Sequence, residues 1–189
     1  MRIISGNFKG KKILEPKDKE TRPLKDLTKE SIFNIISHSN KFSVNLEGSN
    51  ILDLFSGTGS FGLECLSRKA RHVTFVENYK KILPILKKNL FNLKSTNNYK
   101  IIEVDILKNL KMNNLKQKFD IIFLDPPYII NDLNRLLISI KKIKLIKKNG
   151  IIIIHRHRAQ KDEFPNFFKI IEEKVYGISK IIFGNLYLD

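Results

Sequence analysis

Asn50-Ile51-Leu52-Asp53-Leu54-Phe55-Ser56-Gly57-Thr58-Gly59-Ser60-Phe61-Gly62 is the stretch on which the fold turns. Residues 51–55 are a short apolar run of the kind that forms a buried strand. Gly57, Gly59 and Gly62 keep the G-x-G-x-x-G spacing of a turn that leaves a strand and opens a helix, here over residues 60–68. Glu77 follows at the end of the next strand, where the dinucleotide-binding fingerprint carries an acid. The spacing alone permits NAD, FAD or another adenosine cofactor. A tight turn with a glycine for close helix packing would satisfy it with no ligand at all.

Downstream, strand and helix patterns alternate. Strands are predicted over 73–76, 101–104, 119–124 and 151–154. Helices are predicted over 80–93, where Pro84 implies a kink or a later start, near 106–110, and over 133–146 with a lysine-lined polar face. Residues 169–176 and 180–188 flank Gly177 and read as a closing hairpin. Upstream, residues 1–14 alternate around Gly6 and Gly10 and suggest a hairpin or extended arm, made basic by Lys9, Lys11 and Lys12. A polar loop over 15–25 holds Pro16, Arg22 and Pro23. A helix follows, with Asp26 or Thr28 as its cap and Leu27, Ile32, Phe33, Ile35 and Ile36 as its apolar stripe. Residues 40–49 read as a linker. The pattern specifies an α/β, Rossmann-like fold: a mostly parallel twisted sheet, helices on both faces and a C-terminal antiparallel hairpin. The division expected is an arm and helix over 1–45 packing on a core domain over 46–189.

The chain has 189 residues, 42% of them hydrophobic, enough for one sizeable core. One cysteine excludes a disulfide framework or a cysteine-rich zinc site. No apolar run is long enough to cross a membrane, and the apolar stretch after Met1 is too short for a signal peptide, so a cytoplasmic protein is expected. A net charge of +16 suits a polyanionic partner, although a lysine-, isoleucine- and asparagine-rich composition also gives a merely solvated basic surface. The default expectation is a monomer.

Asp53 breaks the tie between cofactors. A carboxylate four residues before Gly57 would repel a pyrophosphate docked at the helix N-terminus. S-adenosylmethionine has no phosphate and carries an ammonium and a sulfonium. The loop acid suits those cations, and free helix N–H groups suit the carboxylate. Glu77 is then expected to accept both ribose hydroxyls, and Asp105, after the third strand, the adenine amine. Phe55, Gly57, Gly59 and Ile106 complete the expected cofactor surroundings. Phe55 and Phe61 also read as core residues, with Phe61 able to border the cofactor.

Asp125-Pro126-Pro127-Tyr128 follows the fourth strand. Two prolines fix two φ angles and remove two backbone donors, leaving a stiff turn with a carboxylate, free carbonyls and an aromatic face. That set suits a planar amine: acceptors for its N–H groups and a ring to stack on its face. Asp53, Glu77, Asp105 and Asp125 thus fall at the carboxyl ends of four successive strands. His155-Arg156-His157-Arg158, where an acid is expected at the end of the fifth strand, makes a basic cluster that touches RNA phosphate or simply ends a strand. Two histidines at i, i+2 are too few for a metal site, and no metal is expected.

The chain resembles class I S-adenosylmethionine-dependent methyltransferases, with Asp53-Leu54-Phe55-Ser56-Gly57-Thr58-Gly59 as the cofactor motif. Arg2-Ile3-Ile4-Ser5-Gly6, Lys9-Gly10, Arg22-Pro23 and Glu30-Ser31-Ile32-Phe33-Asn34 are similar to the RsmD family. It departs from that pattern at Leu24, usually Thr, and at Lys29, commonly Arg. The resemblance implies methylation of the exocyclic N2 amine of one guanine in 16S ribosomal RNA, as naked RNA or within a small-subunit particle. It implies Asp125 and the Pro126 carbonyl as acceptors of the amine protons, and Tyr128 and Pro127 against the base. Arg22, Lys9, Lys11 and Lys12 are the expected backbone contacts, placed near the cofactor mouth. The alternatives are an amine methyltransferase acting on adenine or protein glutamine, a nicotinamide-dependent oxidoreductase, and a non-catalytic RNA-binding factor.

Overall fold

The computed structural model describes residues 1–16, 24–94, 97–108, 115, 117–128, 130 and 133–187. Arg22 lies outside them. The elements run α1 (Asp26–His38), β1 (Asn50–Leu54), α2 (Ser60–Ser67), β2 (His72–Glu77), α3 (Leu83–Phe91), β3 (Tyr99–Glu103), β4 (Phe119–Leu124), α4 (Leu133–Lys142), β5 (Ile146–His157), β6 (Phe168–Tyr176) and β7 (Ser179–Leu186). They build one sheet in the order β3-β2-β1-β4-β5-β7-β6. β1 to β5 are parallel, and β7 enters antiparallel between β5 and β6. The expected mostly parallel sheet with a closing hairpin is the one observed.

Strand alternation assigns each face. Ile51, Phe75, Phe123 and Ile153 meet Phe33 of α1, Phe61 of α2 and Leu86 of α3 on one side. Leu52, Leu54, Ile122, Leu124 and Ile152 meet Leu136, Leu137 and Ile140 of α4 on the other. A ladder of stacked rings, Phe33 on Phe61 and Phe61 on Phe123 at 5.1 and 4.1 Å between centroids, ties α1 and α2 to the sheet. Phe61 is therefore core.

Several boundaries differ from the sequence reading. Lys25, not Asp26 or Thr28, takes the N-cap position of α1, and no side chain caps it. Asp26 Oδ1 instead accepts the Arg2 N–H and faces Lys29, and Thr28 is buried. Leu27 is 69% exposed and leaves the apolar stripe. Pro84 begins α3 late, within its first turn, where a missing N–H costs nothing. The predicted helix near 106–110 is a turn over 106–108, and residues 109–110 lie outside those described. α4 ends at Lys142, and Ile146 belongs to β5, paired with Phe119.

The N-terminal arm is part of the core. Arg2 bridges to Lys12, and Ile3 and Ile13 are buried beside α1 and α2. The fully buried Glu64 of α2 accepts the N–H groups of Ile4 and Ser5 at 2.7 and 2.9 Å and pairs with Arg68. Lys29 is buried outright. Its Nζ donates to Arg2 O and to Ser60 Oγ, and burial pulls its pKa down against the pull of Glu64 and Asp26.

Candidate active site

β1 and β4 lie side by side where strand order reverses, the place at which open α/β sheets bind ligands beyond their carboxyl ends. Asp53 is level with Phe75 of β2 and Phe123 of β4. Glu77 and Asp125 stand two residues beyond those partners, so all three acids project from one face. The expected shared edge is present, with one refinement: Asp53 sits a row deeper than the other two.

Asp53 is 1% exposed, beneath the start of α2, where its Oδ2 accepts the Gly62 N–H at 3.0 Å. Burial drives its pKa well above the carboxylate range. The Gly62 bond opposes that, and the charges of Asp125 and Glu77 add to it. Positive partial charge at the helix N-terminus offsets part of the cost. Gly59, the N-cap, has φ 82°, and a Cβ there would come within 2.5 Å of Leu86 Cδ1. Phe55 leaves β1 with φ 58°, half-buried against the α4 side of the core.

Glu77 is held by three backbone donors: Gly57 N–H at 2.7 Å on Oε2, and Asn78 and Tyr79 N–H at 2.8 and 2.9 Å on Oε1. A carboxylate offers about four lone-pair sites, so two ribose hydroxyls could not both bind without displacing one of these donors. Asp105 Oδ1 accepts the N–H groups of Leu107 and Lys108, and its Oδ2 lies 3.7 Å from Lys108 Nζ. The Ile106 side chain is buried in the α4-side core, so only its backbone is left to face a ligand.

Asp125 continues the ladder past β4, its N–H donating to Leu54 O at 3.3 Å. Pro126 is buried, Pro127 exposed and Tyr128 half-buried. The Tyr128 carbonyl is held by Gln160 Nε2 at 2.8 Å, and its ring meets the rings of His155 and His157 edge-on. At the end of β5, His155 and Arg156 are buried, His157 is half-buried and Arg158 is exposed. His155 bridges Asp125 Oδ1 and Ser179 Oγ at 2.8 and 2.9 Å. Arg156 is fully buried on Asp162 and donates to Ile130 O at 2.8 Å. Sequence reasoning missed Ser179, Gln160 and Asp162. The only signal for His155 was its replacement of an expected acid.

The basic arm lies elsewhere than expected. Lys9, Lys11 and Lys12 are exposed, but Asn7 N–H meets Ser67 O at the far end of α2. Lys11 Nζ reaches Asn92 O and Leu93 O, past the C-terminus of α3. The arm tip therefore stands a helix length from the glycine loop rather than at its mouth. Among the described residues no group of three or more His, Cys, Asp and Glu gathers around a metal position, and no helix is long and apolar enough to cross a membrane.

The family model described as "Conserved hypothetical protein 95" matches residues 1–185. A "Ribosomal RNA small subunit methyltransferase D" from Haemophilus influenzae is 33% identical over 179 residues, 94% of this chain and 90% of that protein. Among solved structures, a putative methylase from Haemophilus influenzae is 32% identical with a TM-score of 0.76 and 98% of each chain covered. A putative methyltransferase from Escherichia coli is 25% identical with a TM-score of 0.81, covering 100% of this chain and 99% of that one. The carboxyl ends of β1 and β4, with the glycine loop and the Asp125-Pro126-Pro127-Tyr128 turn, thus belong to a chain of the Conserved hypothetical protein 95 family, the family of the RsmD methyltransferases.

Proposed function

We propose that this chain methylates the exocyclic N2 amine of a guanine in 16S ribosomal RNA of the small subunit. Family membership makes it an S-adenosylmethionine-dependent ribosomal RNA methyltransferase. The guanine amine, the roles of individual residues, the small-subunit particle as partner, a monomeric state and the cytoplasm are the finer parts of the proposal. The observation that carries it is the adjacency of Asp53, under the glycine loop, and Asp125, on the neighbouring strand and the same face.

The donor set fits the cofactor. Asp53 Oδ2 is engaged by Gly62, which leaves Oδ1 for an ammonium, and the α2 N-terminus offers N–H groups to a carboxylate. Glu77 would accept the ribose hydroxyls, at the expense of one backbone donor it now holds, and Asp105 Oδ2 would accept the adenine amine. Phe55 and the backbone of Ile106 border them. When bound, the cofactor supplies an electrophilic methyl group on a positively charged sulfur.

The chain's own residues supply orientation. A guanine amine is a poor nucleophile because its lone pair is delocalised into the ring. Asp125 and the Pro126 carbonyl accept its two N–H bonds, which favours a pyramidal nitrogen and aims the lone pair. Asp125 then takes the departing proton or relays it to water. Tyr128 stacks on the base and Pro127 borders it, with stacking worth about 1–3 kcal/mol. A paired guanine must first be swung out of its helix. Lys9, Lys11 and Lys12 contact RNA backbone from the arm, and Arg22 is assigned to RNA backbone as well.

Labelled methyl transfer to undermethylated small-subunit particles, naked 16S RNA and genomic DNA tests the proposal. Guanine-N2 product on the ribosomal substrates supports it. Product on DNA adenine, or on ribosomal protein, overturns it.

A further inference from the structure

We propose that His155 is the positioning residue for Asp125: it engages one carboxylate oxygen so that the other is presented to the amine. This rests on the reading of Asp125 as the group that meets the substrate. Ile154 is level with Leu124 across the parallel β4–β5 pair, so His155 and Asp125 are neighbours one step past the ladder, on one face. Nδ1 lies 2.8 Å from Asp125 Oδ1. An ionised carboxylate only accepts, so Nδ1 carries the proton and donates. That bond fixes the rotation of the Asp125 carboxylate and leaves Oδ2 to the amine.

The far side of the ring is held as well. Nε2 lies 2.9 Å from Ser179 Oγ, at the start of β7. A hydroxyl donates to a neutral Nε2 or accepts from a protonated one, so Ser179 holds the ring in either state. Tyr128 lies edge-on to the same ring at 6.4 Å between centroids. The imidazole is thus held by the turn after β4 and by the start of β7, and it orients both the carboxylate and the aromatic wall. The last strands of the sheet, β5 and β7, thereby act on the carboxyl ends of β1 and β4.

The test is a comparison of two amides. The side-chain nitrogen of His155→Asn falls near the position of Nδ1, and that of His155→Gln near Nε2. Methyl transfer to undermethylated 16S RNA is measured for both, for His155→Leu and for Asp125→Asn, with cofactor affinity by calorimetry as the control for folding. The expected result is a kcat loss of about ten- to a hundredfold for His155→Leu and His155→Gln. KM for the cofactor stays within twofold, and His155→Asn recovers at least half of the loss on a logarithmic scale. Equal activity of the two amides, or normal kcat in His155→Leu, overturns the inference. Loss in Asp125→Asn beside a normal His155→Leu sinks this inference alone. Normal turnover in Asp125→Asn sinks the catalytic reading beneath it.

Discussion

Three alanine substitutions separate the forces that shape the glycine loop. At Gly10, φ is 83° and nothing lies within 4 Å of an added Cβ. Only conformation resists, at about 1–2 kcal/mol, and roughly 0.4–1 kcal/mol returns through the stiffer unfolded chain, for a net loss near 1 kcal/mol. At Gly62 the reverse holds. No left-handed angle is involved, but a Cβ would lie 2.3 Å from Phe75 Cε1 and 2.9 Å from Val73 Cγ1. Phe75 is fully buried and cannot swing away. Overpacking of about 1–3 kcal/mol is offset by about 0.8–1 kcal/mol of helix propensity, leaving a loss of roughly 0–2 kcal/mol. Gly59 combines both terms, φ 82° and a Cβ at 2.5 Å from the fully buried Leu86 Cδ1, so its loss is about 2–4 kcal/mol.

Urea unfolding and thermal melts read this order directly. In a chain of this size each kcal/mol moves Tm by roughly 2–4 °C, so Gly59→Ala falls by roughly 4–16 °C and Gly10→Ala by roughly 2–4 °C. The Gly59 variant also loses cofactor affinity, whereas Gly10→Ala keeps it. A Gly59→Ala protein that melts with Gly10→Ala would show that Leu86 yields freely, and that α3 does not brace the loop. A Gly62→Ala protein more stable than the parent would refute the close approach of α2 to β2.

Asp125→Ala should lower kcat by about two to four orders of magnitude while cofactor affinity, by calorimetry, changes only a few-fold. Asp53→Asn should weaken the cofactor by about 1.5–3 kcal/mol, roughly ten- to a hundredfold, through loss of a charged hydrogen bond. Its effect on the free protein has the opposite sign. The raised pKa means that folding opposes ionisation, so the contribution of Asp53 to stability is intact below about pH 4 and declines as pH rises toward the folded value. The advantage of Asn over Asp in urea midpoint should therefore grow between pH 5 and 8, and a flat difference would contradict the burial. RNA affinity should fall steeply with salt, and Lys9→Ala or Lys12→Ala should each reduce the log–log slope by about one. An unchanged slope removes that lysine from the interface.

What was legible in the sequence followed a local rule. The β1 turn into α2 has fixed spacing, and the common face of Asp53 in β1, Glu77 at the end of β2 and Asp125 after β4 follows from strand alternation. What was not legible depends on partners distant in the chain. Ile146 fits the helical period of α4, yet it pairs with Phe119 before the register shift that admits Gly150 over Asp120. Asp26 has the chemistry of a cap, but the arm and Lys29 claim its carboxylate. His155 to Arg158 read as a block of charge because composition is blind to alternation. In the sheet the histidines turn toward Asp125 and Tyr128, while Arg156 turns to the opposite face and is buried on Asp162.

The arm and the glycine loop are joined through single side chains. Asn89 of α3 accepts the Leu14 N–H, donates to Leu14 O at 3.2 Å and donates to Thr58 O at 3.0 Å. Lys29 joins Arg2 O to Ser60 Oγ in the same way. Thr58 and Ser60 flank Gly59, so both arm-holding residues also hold the loop. Burying the Lys29 ammonium costs free energy that the charges of Glu64 and of Asp26, 3.5 Å away, do not recover in full. Two oxygen acceptors on separate segments make the position worth keeping, because removing the donor would leave both unmatched in the interior. A residue that served the arm alone would not need to reach Ser60. Lys29 and Asn89 thus each tie a segment of the arm to a residue that flanks Gly59.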